Sequence, residues 1–146
     1  MNWENGLQDL ELLEYFKYVI KIRKNLINIF NPSFFPNNQT NENIPTYHWH
    51  GTKLDSPDWS SWSHTVAFSI NKGKTNPLVW IGFNAYSESI DFTLPKCKYN
   101  WLKVIDTSMS TIFEPSIINE KSVLIKNWSS LLIISEELFE SKKKIL

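Results

Sequence analysis

Hydrophobic positions in this chain change their period once, near residue 44. Before that point Leu12, Leu13, Phe16, Val19, Ile20, Ile27 and Phe30 recur at helical spacing, which predicts a helix over 9–30. Asp9 or Asn5 is placed to cap it. Glu14, Lys17, Lys21, Lys24 and Asn28 step by three or four and form one narrow polar stripe, while Tyr15, Tyr18, Ile22, Leu26 and Ile29 extend the apolar surface around most of the remainder. A surface helix has the opposite proportions, an apolar stripe on a polar cylinder. The pattern therefore predicts a helix enclosed on more than one side. Pro32 and Pro36, around Phe34 and Phe35, end it, and 36–43 reads as a polar loop.

After residue 44 the period becomes two. Strands are expected at 46–51, 64–70, 78–85, 89–94, 101–106, 122–126 and 130–135, separated by turn signals such as Ser56-Pro57-Asp58, Asn71-Lys72-Gly73-Lys74 and Pro95-Lys96. Short strands in series with no helix between them argue for one antiparallel sandwich over 44–135. Alternation assigns Trp49, Phe68, Trp80, Phe83, Phe92 and Trp101 to its core. Residues 136–146 read as a charged tail compatible with a helix, with three consecutive lysines at Lys142 to Lys144, and no internal repeat is present.

Composition narrows the function. The chain has 146 residues, one domain's worth, and its 42% hydrophobic and 14% aromatic content excludes intrinsic disorder. Fifteen basic residues balance fifteen acidic ones, and Arg23 is the single arginine. Without a positive field or arginine forks, nucleic acid is not an expected partner, so Lys72 and Lys74 read as a hairpin tip. One cysteine, Cys97, permits no internal disulfide and fits a reducing compartment. No apolar run reaches the roughly 18 residues that span a bilayer, and the N-terminus has no signal-peptide pattern, so a soluble, cytoplasmic protein is expected.

The usual catalytic patterns are absent. There is no Gly-x-Ser-x-Gly elbow, and the four glycines are isolated, which removes phosphate-cradling loops. Cys97 sits between Lys96 and Lys98 in a turn and reads as a chance thiol. His48 and His50 share one strand face, but zinc takes three or four protein ligands and no third stands at a supporting spacing. A packed or hydrogen-bonded pair is the better reading, and no metal or cofactor is expected. Asp55 and Asp58 flank Pro57 as turn residues rather than as a catalytic carboxylate pair. The tryptophans carry more. Trp49, Trp80 and Trp101 fall inside strands and read as core, whereas Trp59 and Trp62 stand in a polar loop with Asp58, as core fillers or as a platform for sugar. They are the candidate substrate-binding residues.

One block of the sequence is distinctive. Tyr47-His48-Trp49-His50-Gly51, Leu54, Pro57-Asp58-Trp59-Ser60 and Ser63-His64-Thr65-Val66-Ala67-Phe68 follow in order, then Phe83-Asn84-Ala85-Tyr86, Phe92-Thr93-Leu94-Pro95, Trp101 and Val104-Ile105-Asp106-Thr107-Ser108. This series resembles the C-terminal region of the isoamylase-type debranching enzymes, glycoside hydrolases of the alpha-amylase superfamily that act on glycogen and starch branch points. Asn2-Trp3, Leu12-Leu13, Phe16, Ile20 and Arg23-Lys24 resemble the last helix of that family's catalytic barrel.

The resemblance implies a mainly β fold, a C-terminal antiparallel β-sandwich preceded by one long α-helix, with 1–31 as the last helix of an absent (β/α)₈ barrel, 32–43 as linker, 44–135 as sandwich and 136–146 as tail. It implies no catalytic residue in this chain, because the family's aspartate nucleophile, glutamate acid/base and second aspartate sit after barrel strands upstream of that helix. The expected role is a non-catalytic module that stabilises a barrel hydrolysing α-1,6 branches; the alternative is a stand-alone module binding α-glucan. Expected partners are glycogen through the complete enzyme, and either a separate barrel chain or a second copy on the N-terminal helix.

Overall fold

The computed structural model describes residues 10–26, 45–109 and 115–142. Helix α1 (Leu10–Leu26) is followed by strands β1 (Pro45–His50), β2 (Thr65–Lys72), β3 (Asn76–Asn84), β4 (Ile90–Thr93), β5 (Trp101–Asp106), β6 (Ser116–Ile118), β7 (Ser122–Ile125) and β8 (Ser129–Ser135), and by helix α2 (Glu136–Lys142). Six strands form one antiparallel sheet in the order β1-β2-β3-β8-β5-β6, and β4 and β7 pair as a separate ribbon. The fold is mainly β, with antiparallel sheets behind a long N-terminal helix. The sequence-predicted strands are present; the short edge strand β6 is an addition. The expected helix residues Ile27 and Phe30, and the linker 32–43, lie outside the described residues.

The large sheet is buried on both faces, which explains why its central strands are apolar nearly throughout. On one face Ile70, Val79, Leu102, Val104 and Ile134 meet Ile22 and Leu26 of α1 and Leu138 of α2. On the other, Ala67, Trp80, Trp101, Leu131 and Ile133 meet Phe92 and Ile125 of the ribbon, with Leu94 just beyond β4. The indole of Trp80 stands edge-on to Phe92, 5.9 Å between ring centres. It crosses the space over Gly82, where a Cβ would collide with the Trp80 ring and with Ile125. The chain is thus three layers deep, helices, sheet and ribbon.

Helix α1 is tied to the sheet by a defect in it. The pairing of β5 with β8 shifts register between Lys103 and Ile105, leaving Val104 as an extra residue. A bulged residue leaves the ladder locally disrupted, and the Tyr18 hydroxyl donates to the Val104 carbonyl at 2.9 Å. The rest of α1 is less covered. Leu12, Phe16 and Ile20, at successive four-residue steps, are exposed together with Leu10 and Leu13.

Two core assignments fail. Trp80, Phe92 and Trp101 are buried and Phe68 is half-buried, but Trp49 is 49% and Phe83 41% exposed. Both project from the helix-covered face of the sheet: Trp49 pairs with Phe68, and Phe83 with Val66 and Ser130. Alternation fixed their face correctly, but they stand at the end of the sheet beyond the strip under α1.

Candidate functional site

The distinctive residues of the sequence fall into two groups, those that staple loops and those left exposed at the end of the sheet. His50, at the end of β1, belongs to the first group. It is buried, with Nε2 3.0 Å from Ser69 Oγ and Nδ1 accepting the Asp55 backbone N–H at 2.9 Å. The Asp55 carboxylate approaches Nδ1 to 3.3 Å. Serine, histidine and aspartate in this order resemble a catalytic triad, but the proton is in the wrong place. A triad needs Nδ1–H on the aspartate and a bare Nε2 to take the serine proton. Here Nδ1 already accepts a hydrogen bond, so Nε2 carries the proton and donates it to Ser69. Burial lowers the His50 pKa, outweighing the opposing pull of Asp55, and His48 adds to the lowering, so the ring is held neutral. The arrangement closes a loop and does no acid–base chemistry.

The neighbouring motif residues act alike. A Cβ on Gly51 would strike the Ser56 carbonyl, so only glycine lets the loop fold back here, and Asp55 takes a left-handed φ of 53° at its turn. Asp58 Oδ1 accepts the Ser60 N–H at 3.0 Å, an Asx turn. Hydrogen bonds from Ser60 hold the Asp58 carboxyl below its ordinary pKa. Asp55 and Asp58 are therefore turn residues. His48 bonds to Thr46 rather than to His50, with 3.2 Å between Nε2 and Oγ1. Among the described residues no group of three His, Cys, Asp or Glu could hold a metal ion. Nor is any helix there long and apolar enough to cross a membrane. Cys97 is half-buried beside the Pro77 carbonyl, and burial pushes its thiol pKa up, away from reactivity.

Further along, Asn84 donates through Nδ2 to the carbonyls of Glu88, Ile125 and Lys126 and accepts the Tyr86 N–H. Asp106 accepts from the backbone and hydroxyl of Ser108. Burial pushes its carboxyl up, but these bonds and Lys103 outweigh burial and keep the pKa low. Thr107 Oγ1 accepts the Ser130 N–H at 2.8 Å, and the Trp101 indole donates to the Pro95 carbonyl at 3.0 Å.

The exposed group is aromatic. Trp59 and Trp62, the sequence-predicted contacts, are 66% and 76% exposed. Trp59 stands edge-on to Trp49, 5.4 Å between centres, and Trp49 packs at 5.3 Å on Phe68. A second exposed set gathers around Trp128, which the sequence reading missed. Its turn carries the chain from β7 of the ribbon to β8 of the large sheet, and Trp128 is 69% exposed at a φ of 52°. A bulky side chain at positive φ is an outlier that costs about 1–3 kcal/mol. With Phe83, Asn84, Ala85, Thr107, Ser129 and Ser130 it lines a hollow of about 280 Å³. Tyr86, stacked on His64 at 6.0 Å, is tied to the turn by the Trp128 N–H.

Compared with known families, residues 48–130 match the model of the Isoamylase 1-3, C-terminal family, more than half of the chain. The chain belongs to this family. No curated protein matches it. The isoamylase C-terminal match runs from β1 into β8, so it contains every staple described above and leaves α1 and α2 outside. The residues that make the isoamylase pattern visible, His50, Gly51, Asp58, Asn84, Asp106 and Thr107, are those that fix this domain's loops.

Proposed function

We propose that the chain is a non-catalytic C-terminal module of an isoamylase-type debranching enzyme, seated through α1 on a catalytic barrel that hydrolyses α-1,6 branches. The family assignment supports this, and one observation carries the seating: α1 is apolar on two sides. Tyr18, Ile22 and Leu26 are spent on the sheet, while Leu12, Phe16 and Ile20 make a second face in open contact with water. Exposed apolar patches of this kind mark contact surfaces. An outer helix of a (β/α)₈ barrel needs such a double face, because it packs on barrel strands and on neighbouring helices.

The test is to co-express the chain with an isoamylase-type barrel lacking its last helix. Co-purification and recovery of debranching activity are expected, and Phe16→Glu with Ile20→Glu should abolish both. If the chain remains monomeric and unassociated, with its α1 face binding no hydrophobic dye, the seating is wrong. Self-association through the same face would redirect the reading to a second copy of this chain.

A second reading, a stand-alone module for α-glucan, is favoured by the exposure of Trp59 and Trp62 on a loop pinned by Asp58. Glycogen binding by the isolated chain that is lost in Trp59→Ala and Trp62→Ala would support it.

A further inference from the structure

We infer that the hollow between Phe83 and Trp128 is a binding site for a glucose unit of an α-linked glucan, with the Trp128 indole as its stacking platform. The choice of glucan rests on the isoamylase-type reading; the site itself rests on the geometry of the turn.

Trp128 serves neither of the purposes that ordinarily place a tryptophan. It fills no core, being 69% exposed. It also does not suit its backbone, since a left-handed φ of 52° at a turn favours glycine or asparagine. Yet the turn that presents it is fixed from three directions. The Lys126 carbonyl takes hydrogen bonds from Asn84 Nδ2 at 3.1 Å and from Ser129 Oγ at 2.7 Å, and the Trp128 N–H reaches the Tyr86 carbonyl at 3.3 Å. A turn already fixed has little backbone freedom left to lose on binding, which is what a weak-affinity recognition site needs.

The lining says what the ligand is like. Phe83 and Trp128 supply apolar surface, the exposed hydroxyls of Thr107 and Ser130 lie 3.4 Å apart beside them, and no lining residue carries a charge. That set does not recognise a phosphate, an amine or a carboxylate. It suits a neutral molecule with an apolar face and hydroxyls around its edge, as a pyranose ring has.

The test uses the whole chain in native gels containing glycogen, with calorimetric titration of maltoheptaose. Glycogen should retard the wild-type chain, and added salt should leave the retardation unchanged. Trp128→Ala should weaken binding about tenfold or more, as loss of an aromatic anchor does, and Ser130→Ala severalfold. Trp128→Gly separates the site from the fold: it should weaken binding as much as Trp128→Ala does while the melting temperature stays level or rises, because glycine accepts the left-handed backbone. An unretarded wild-type chain, or a Trp128→Gly variant retarded like wild type, would overturn the inference. Loss of retardation in Trp59→Ala and Trp62→Ala with Trp128→Ala unaffected would also overturn it, while leaving the second reading standing. Association with the barrel is read out independently, through Phe16 and Ile20.

Discussion

His50 shows how one side chain can carry a motif without carrying chemistry. Its ring is a spacer with a donor on one side and an acceptor on the other, and it works only when neutral. Burial lowers its pKa below the ordinary 6.5. A base whose folded pKa is depressed leaves the native state fully stable above the unfolded value. Stability is then lost as the pH falls from about 6.5 towards the folded pKa, because the unfolded chain binds the proton first. Urea denaturation at pH 7.5 and pH 5 should show this loss, and His50→Gln should reduce it. The variant itself should cost about 1–3 kcal/mol at neutral pH, the penalty for leaving a buried partner unpaired. The lack of a third ligand at a supporting spacing already argued for a packed or hydrogen-bonded pair over a metal site, but it could not reveal Ser69 and Asp55 as the partners of His50, since those contacts depend on strand register and on a left-handed turn. Trp49 illustrates the same limit. Period-two alternation tells which face a residue takes, not how far along that face the covering helix reaches.

Among the elements, the long strands and α1 were legible because each repeats its pattern for several periods. Strand β6 was not, since Ser116–Ile118 spans too few positions to show alternation. Helix α2 was legible in part: residues 136–146 read as a charged tail compatible with a helix, but their charge hid that Leu138 is buried under the sheet and its N–H is capped by Ser135 Oγ at 3.3 Å. Leu138→Ala should therefore destabilise the domain by about 2–5 kcal/mol, the usual range for a buried leucine, where a true tail would show no change on thermal denaturation. The attachment of α1 is testable through Tyr18. Tyr18→Phe removes only the hydroxyl on the Val104 carbonyl and should cost about 0.5–1.5 kcal/mol. Hydrogen exchange should quicken first in α1, with the ribbon unaffected.

For the molecule as a whole, the aromatic content had two destinations, and composition alone could not divide them. Trp80 and Trp101 went to the interface of sheet and ribbon, and Trp59, Trp62 and Trp128 went to the surface. The first group is held tightly. Gly82→Ala would force the Trp80 ring or Ile125 aside, and an overpacked core of this kind costs about 1–3 kcal/mol, visible as a lower urea midpoint and a changed near-ultraviolet dichroism. As an isolated chain the protein is expected to release no reducing ends from glycogen, amylopectin or pullulan. Release that scales with protein and survives substitution of both Asp55 and Asp58 would refute the non-catalytic reading.

The strand order also sets a timetable. Strand β8 lies between β3 and β5, so a strand in the middle of the sheet is the last of its six to leave the ribosome. Until residue 135 emerges, the β1-β2-β3 meander and the β5-β6 pair each present an unsatisfied edge, and such edges recruit other chains. A message truncated before Ser129 should therefore yield insoluble protein rather than a smaller working domain, and a pause in translation just before β8 should be more damaging than one before β1.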